Sequence, residues 1–218
     1  MDIVVRLVCL VIGYIFGTFQ TAVLYGKLKG VDIRKMGSGN AGTTNTLRVL
    51  GTKAGAIVLL GDMIKCIIAV VLVTLLFGKS HSDMIYLLKI YAAVGCVLGH
   101  DFPVMLKFKG GKGIACTAGY MCAMHPSFIP MFLIVFLVVF NITHYVSLGS
   151  LAIYLGFLIQ LIIEGQMGMY GMSQAHLIEM YIIAVFMTGL AFYQHRTNIV
   201  KLLNHNERKT YIFKKNTL

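Results

Sequence analysis

Residues 3–25 carry one charge, Arg6, and residues 54–77 carry only Asp62 and Lys65. Apolar runs of this length leave a chain few ways to fold. In hydrocarbon every backbone N–H and C=O must be bonded inside the protein, so such runs form bilayer-crossing helices of about 20 residues each. The rest of the chain offers no soluble alternative, because 58% hydrophobic and 12% charged residues over 218 positions cannot cover a water-facing surface. The sequence therefore predicts an all-α integral membrane protein, with residues 1–218 forming a single membrane domain.

Spans are predicted near 3–25, 54–77, 84–106, 113–124, 127–142, 148–165 and 175–194. The fourth and fifth are short, and His125-Pro126 separates them because proline at a turn breaks the helix. The first is kept as a span: apart from Arg6 it has no basic leader, and no A-x-A site follows it. Seven transmembrane helices put the N-terminus outside and the C-terminus in the cytoplasm. That parity alone leaves the basic segments on one face, as the positive-inside rule requires. Fifteen of the nineteen Lys and Arg residues fall in three such segments: residues 27–53, residues 107–112, and a tail with Arg196, Lys201, Arg208, Lys209, Lys214 and Lys215. The net charge of +11 thus reads as topology and as affinity for anionic lipid and phosphorylated metabolites, with no nucleic-acid partner. The charges Asp62, Lys65 and Glu164 are placed near span ends. Cys9, Cys66, Cys96, Cys116 and Cys122 form no C-x-x-C pair and read as small buried hydrophobes. The pairs Gly13/Gly17, Gly51/Gly55 and Gly95/Gly99 read as helix-packing contacts, and residues 164–174 (EGQMGMYGMSQ) as a flexible outer loop.

Three polar clusters interrupt this pattern. In the first, GSGNAGTTNTLR at 37–48, Gly37, Gly39 and Gly42 give permissive backbone while Ser38, Asn40, Thr43, Thr44 and Asn45 supply donors. Arg48 can clamp a phosphate bidentately. Taken alone, such a stretch is as readily a turn as a site. In the second, KFKGGKG at 107–113, Gly110, Gly111 and Gly113 surround Lys112 at the start of a helix, where N–H groups and a lysine make an anion cradle. It is not a nucleotide-binding P-loop, since Leu106 stands where the first Gly belongs and Gly113 where Ser or Thr would hold magnesium. In the third, His195 and Asn198 lie three residues apart and can face one ligand.

GSGNAGTTN with LRVLG, GHDFPVMLKFKGGKG and HRTNI resemble, in order, the three signature motifs of the bacterial PlsY family of membrane acyl-phosphate:glycerol-3-phosphate acyltransferases. GDMIK at 61–65, YVSL at 145–148 and the Asn-Glu pair ending at Glu207 agree as well. The resemblance implies a seven-helix protein of the bacterial plasma membrane, with its active site on the cytoplasmic side. It implies transfer of a fatty acyl group from acyl phosphate to the 1-hydroxyl of glycerol 3-phosphate, giving lysophosphatidic acid and phosphate. By motif, Ser38, Arg48, Lys112, Ser147, His195 and Asn198 would surround the polar substrates, and Gly39, Asn40, Gly42, Thr44, Asn45, Gly110, Gly111 and Gly113 would hold the acyl-phosphate head. No metal or cofactor is implied. The chain departs from the family pattern at Thr18 and Gln20 in the first span, at Cys116 after GGKG, and at His144 before YVSL.

Acyl phosphate is already activated, so the expected work is positioning and charge stabilisation by Arg48, Lys112 and a protonated His195. His195 is expected to bind and orient, with a donor phosphate oxygen taking the hydroxyl proton. Two other readings compete. A transporter of phosphorylated metabolites would show charges deep within spans and an inverted repeat. A coenzyme-A-dependent acyltransferase would show H-x-x-x-x-D, and no histidine here has Asp five residues later.

Overall fold

A computed structural model describes residues 2–211, and the tail residues Lys214 and Lys215 lie outside that range. The helices are α1 (Asp2–Gly17), α2 (Thr21–Leu28), α3 (Thr43–Leu50), α4 (Thr52–Phe77), α5 (Ile85–Asp101), α6 (Ile114–Met124), α7 (Phe128–Thr143), α8 (Val146–Gln166), α9 (Gln174–Gln194) and α10 (Arg196–Leu203). Among the described residues, five stretches are long and apolar enough to cross a membrane: Ile3–Leu28, Thr52–Phe77, Ser82–Leu106, Val146–Gln166 and Gln174–Gln194. The other two apolar helices, α6 and α7, have 11 and 16 residues.

The first predicted span is not one helix. It breaks at Thr18–Gln20, where Gln20 turns extended (φ −101°, ψ 92°). A break in an apolar environment strands carbonyls, and the fold supplies donors from elsewhere. Lys65 Nζ donates to Phe19 O at 2.6 Å and to Gly17 O at 3.3 Å, and Gln20 Nε2 donates to Gly17 O at 3.3 Å. Lys65 and Asp62 are therefore not near a span end. They sit in the middle of α4, 6% and 1% exposed, paired at 2.9 Å. An ionic pair at that depth needs partners on every side, which the stranded carbonyls provide.

The third predicted span is matched by Ser82–Leu106, but it too is not one helix. Its helix ends at Asp101, because Pro103 has no N–H to continue it and restricts Phe102 to non-helical backbone (φ −127°, ψ 59°). The chain then makes a short 3-10 turn at Val104–Leu106. At the other end of the bundle, residues 164–174 are anchored. α8 continues to Gln166, Tyr170 is 4% exposed, its ring lies 4.9 Å from that of Tyr86, and its hydroxyl donates to Glu164 at 2.7 Å.

α1 packs on α5 through glycines. A methyl on Gly13 would overlap Ala92 O, and one on Gly95 would overlap Leu10 O, so the backbones touch. Gly51 has a different role from the predicted packing, since its positive φ of 88° forms the joint between α3 and α4. The cysteines are free thiols, with Cys9, Cys66, Cys96 and Cys116 buried and Cys122 half-buried. α6 leaves the glycine loop at Gly113 and reaches Met124, whose carbonyl accepts from Lys89 Nζ near the far end of α5 at 3.4 Å. α7 then returns the chain to His144, which caps it in left-handed backbone at φ 59°. The three polar clusters and Ser147 are thereby brought to the same end of the bundle.

Candidate active site

The loop before α3 is wound around one side chain. Asn45, 2% exposed, accepts from Ser38 N at 2.8 Å and donates to Ile33 O and Met36 O, both at 3.0 Å. Gly37 and Gly39 take positive φ of 58° and 74°, and a methyl on Gly37 would overlap the Asn45 amide oxygen. Asn45 was expected among the ligand-holding residues, but its amide is taken up by its own loop. Around it, Gly42 is the extended N-cap of α3 and Thr44 lies in the first turn. Thr43 Oγ1 is buried with no hydrogen-bond partner among the described residues.

Arg48 closes the last turn of α3. Its Nε and Nη2 donate to Thr210 Oγ1 at 3.2 and 2.7 Å, and Nη2 also donates to Arg208 O at 2.9 Å. Burial lowers its pKa, the Glu207 carboxylate opposes that shift, and Arg208 adds to it. Thr210 is 1% exposed, and its N–H donates to His144 O at 2.9 Å. The segment after α10 is thus a strap running from the third cluster across to the end of α7.

The glycine loop rests directly on the end of α5. Gly110 N donates to Asp101 O at 3.1 Å and Gly111 N to His100 O at 3.0 Å. A methyl on Gly110 would overlap His100 O, and one on Gly111 would overlap His100 Nε2, so side chains are excluded there. Lys107 and Phe108 take left-handed backbone (φ 52° and 60°), and Gly113, at φ 72°, is the N-cap of α6. This geometry sends Lys112 Nζ to Asn198 Oδ1, to which it donates. The Asn198 amide donates in turn to Glu207 Oε1 at 2.8 Å, and Ser147 Oγ, in the first turn of α8, donates to the same oxygen at 3.1 Å. Burial pushes the Lys112 pKa down to about 8; Glu207 resists this, Lys201 reinforces it, Asp101 resists and Arg48 reinforces.

His195, 3% exposed, is the C-cap of α9 and N-cap of α10. Its Nδ1 lies 2.8 Å from Ala191 O. A carbonyl can only accept, so Nδ1 carries the proton and Nε2 presents a lone pair. Burial, and then the Lys112 charge, lower its pKa to about 4 against the Ala191 bond. The protonated His195 expected from the sequence is therefore replaced by a neutral ring, chiefly because its burial disfavours the charged form and secondly because Lys112 lies beside it.

A cavity of about 310 Å³ opens beside this network, bordered by Asn40, Asp101, Gly110, Gly111, Lys112 and Gln194. Asp101, 2% exposed, accepts from Gln194 Nε2 at 3.1 Å through one oxygen, and the other has no partner among the described residues. The structure thus joins Lys112, Asn198 and Ser147 through Glu207, and puts Asn40, Gly110 and Gly111 on the adjoining cavity. Ser38, Gly39, Gly42 and Thr44 form the loop that carries Asn40. Sequence reasoning missed Thr210, gave no role to Asp101 or Gln194 although they stand within or beside the second and third clusters, and noted Glu207 only as a flank. Glu207 did carry a signal, as the only carboxylate after Glu179 in a basic stretch.

A family model described as glycerol-3-phosphate acyltransferase matches residues 7–205. Among curated relatives, the glycerol-3-phosphate acyltransferase of Clostridioides difficile is 40% identical over 212 residues, covering 96% of this chain and 97% of the relative. That of Thermotoga petrophila is 39% identical over 208 residues, covering 94% and 96%. Two crystal structures of PlsY, an integral membrane glycerol 3-phosphate acyltransferase, share the fold. The glycerol 3-phosphate form has a TM-score of 0.81 at 32% identity and covers 94% of this chain and 96% of its own. The lysophosphatidic acid form has a TM-score of 0.79 at 31% identity, covering 96% and 97%.

Proposed function

The chain belongs to the glycerol-3-phosphate acyltransferase family, and from that premise we propose that it moves a fatty acyl group from acyl phosphate to the 1-hydroxyl of sn-glycerol 3-phosphate, releasing lysophosphatidic acid and phosphate. The observation that supports the donor assignment is that two half-buried cations, Arg48 and Lys112, lie within the field of one carboxylate, Glu207. Two phosphates must share this pocket. Like unit charges 4 Å apart repel by about 4 kcal/mol at an effective dielectric of ~20, so each phosphate needs a cation of its own. Ser38, Gly39, Asn40, Gly42, Thr44 and the Gly110–Gly113 turn would receive the acyl-phosphate head. Arg48, Lys112, Ser147, His195 and Asn198 would contact the reacting groups.

The neutral His195 fits an orienting role. Its Nε2 lone pair would accept the hydrogen bond of the neighbouring 2-hydroxyl, aiming the 1-hydroxyl oxygen at the acyl carbonyl and leaving that oxygen's proton free. A ring whose pKa is about 4 holds a proton less well than a phosphate oxygen, with pKa near about 6. As the C–O bond to phosphate breaks, the hydroxyl proton goes to the departing phosphate, and Lys112 and Arg48 stabilise the charge that develops there. Replacing His195 with Gln keeps a hydrogen-bonding group in reach. Turnover at saturating glycerol 3-phosphate should stay near normal while KM rises; a collapse of turnover with binding intact would make His195 the general base instead.

The same reading places the chain in a bacterial plasma membrane as a single seven-span domain, N-terminus outside and the site on the cytoplasmic face. The basic residues gathered at the site end of the bundle support this orientation. The Asp62–Lys65 pair deep in α4 is a feature that sequence reasoning reserved for a transporter. Family membership favours acyl transfer, which proceeds in detergent where no gradient exists.

A further inference from the structure

Beneath the glycine loop lies a buried polar node that the reaction does not use directly. Lys65 Nζ is its hub, within 2.9 Å of Asp62 Oδ1, 2.6 Å of Phe19 O, 3.3 Å of Gly17 O and 2.8 Å of His100 Nδ1. Thr21 Oγ1 donates to the same Asp62 oxygen at 2.9 Å, and Gln20 Nε2 donates to His100 O at 3.0 Å. An ammonium has only donors, so His100 Nδ1 must accept, and the ring proton belongs on Nε2. That edge of the ring faces Gly111, where a methyl would overlap Nε2, while His100 O takes the Gly111 N–H at 3.0 Å. Gly111 immediately precedes Lys112.

A buried ion pair is a poor device for stability alone, since well-packed apolar residues of similar volume often do as well or better. Here the pair has a geometric consequence. Lys65 fixes the tautomer and angle of His100, and His100 fixes the glycine turn from both its ring and its carbonyl. We propose that Asp62, Lys65 and His100 are positioning residues for acyl transfer, acting through the Gly110–Gly111 turn to hold Lys112 in the site without touching substrate. This rests on the reading of Lys112 as a phosphate-binding cation.

The test uses the full-length protein in detergent, with palmitoyl phosphate and glycerol 3-phosphate. His100→Asn keeps an oxygen where Nδ1 meets Lys65 but removes the ring edge under Gly111. Gly111→Ala pushes a methyl against that ring. Each single variant should lose about a hundredfold in kcat/KM, the scale of an ångström misplacement, and the double variant should regain at least about tenfold over Gly111→Ala because the shorter side chain makes room. A second readout separates positioning from general damage. Lys112 is faced by Glu207, Lys201, Asp101 and Arg48, with His195 beside it, and its half-buried ammonium should set an alkaline limb near pH 8. In His100→Asn the freed turn lets water reach Lys112, so the limb should move upward, whereas a mere loss of folded enzyme leaves it in place. An unmoved limb, a tolerated Gly111→Ala, or a double variant no better than Gly111→Ala would overturn the proposal. Should His100→Asn not fold, nitrogen NMR of histidine-labelled wild-type protein decides: a His100 ring protonated on Nδ1 overturns it and one on Nε2 supports it. A wild-type enzyme inactive with both substrates would instead refute the assigned reaction.

Discussion

Lys112 and His195 show how burial assigns roles that residue type leaves open. Both can be cations in water. In the site only one stays charged at neutral pH, since the Lys112 pKa falls to about 8 and that of His195 to about 4. Deprotonation of Lys112 thus arrives earlier than for an ordinary lysine, and kcat/KM for glycerol 3-phosphate should fall as pH rises through about 8. An arginine stays charged far above that pH, so Lys112→Arg should abolish this limb even if it lowers the plateau; a limb that persists would show that another group titrates. The motifs around these residues were legible in the sequence because each is local: glycines beside a lysine, a histidine three residues before an asparagine. Thr210 was not, and Asp101 stood in its motif without a role, since nothing near them in the chain reveals that Arg48 or Gln194 will arrive. Asn45 shows the complementary limit: its motif marks it as polar and important, but only the folded loop shows that its amide bonds inward.

The strap after α10 is the element on which the site's charge balance turns. It brings Glu207 to Asn198 and Ser147, and Thr210 to Arg48. Removing the carboxylate charge with Glu207→Gln should weaken the attraction that keeps Lys112 protonated and move the alkaline limb below pH 8. That direction is opposite to the one expected for His100→Asn; a limb unchanged by Glu207→Gln would place Glu207 outside the field at Lys112. Most elements were readable from the sequence. Hydrocarbon imposes a minimum length on a spanning helix, and Pro126 marks the turn between α6 and α7. The break at Thr18–Gln20 was not readable, because it is stable only when Lys65 arrives from α4 to bond the carbonyls it exposes. The same dependence hid the depth of Asp62 and Lys65, whose partners lie on α1, α2 and α5.

At the scale of the whole molecule, the apolar bundle holds one polar end rigidly against a hydrophobic solvent. Segments far apart in sequence meet there: the loop before α3, the glycine turn, the start of α8, the α9–α10 junction and the strap. Helices contribute their termini, where unpaired N–H groups and polar side chains concentrate, and the α1–α5 glycine contacts let the termini approach. Such an arrangement suits a reaction whose donor has an apolar tail and a charged head, since the tail can remain in lipid while the head reaches the cations. The central claim is that these cations serve two phosphates, one of them the leaving group. The most direct measurement follows inorganic phosphate and lysophosphatidic acid together, using purified protein in detergent with palmitoyl phosphate as donor and palmitoyl coenzyme A in parallel. The two products should appear mole for mole, only when glycerol 3-phosphate is present and only from the acyl phosphate; acyl transfer from the thioester alone would contradict the account.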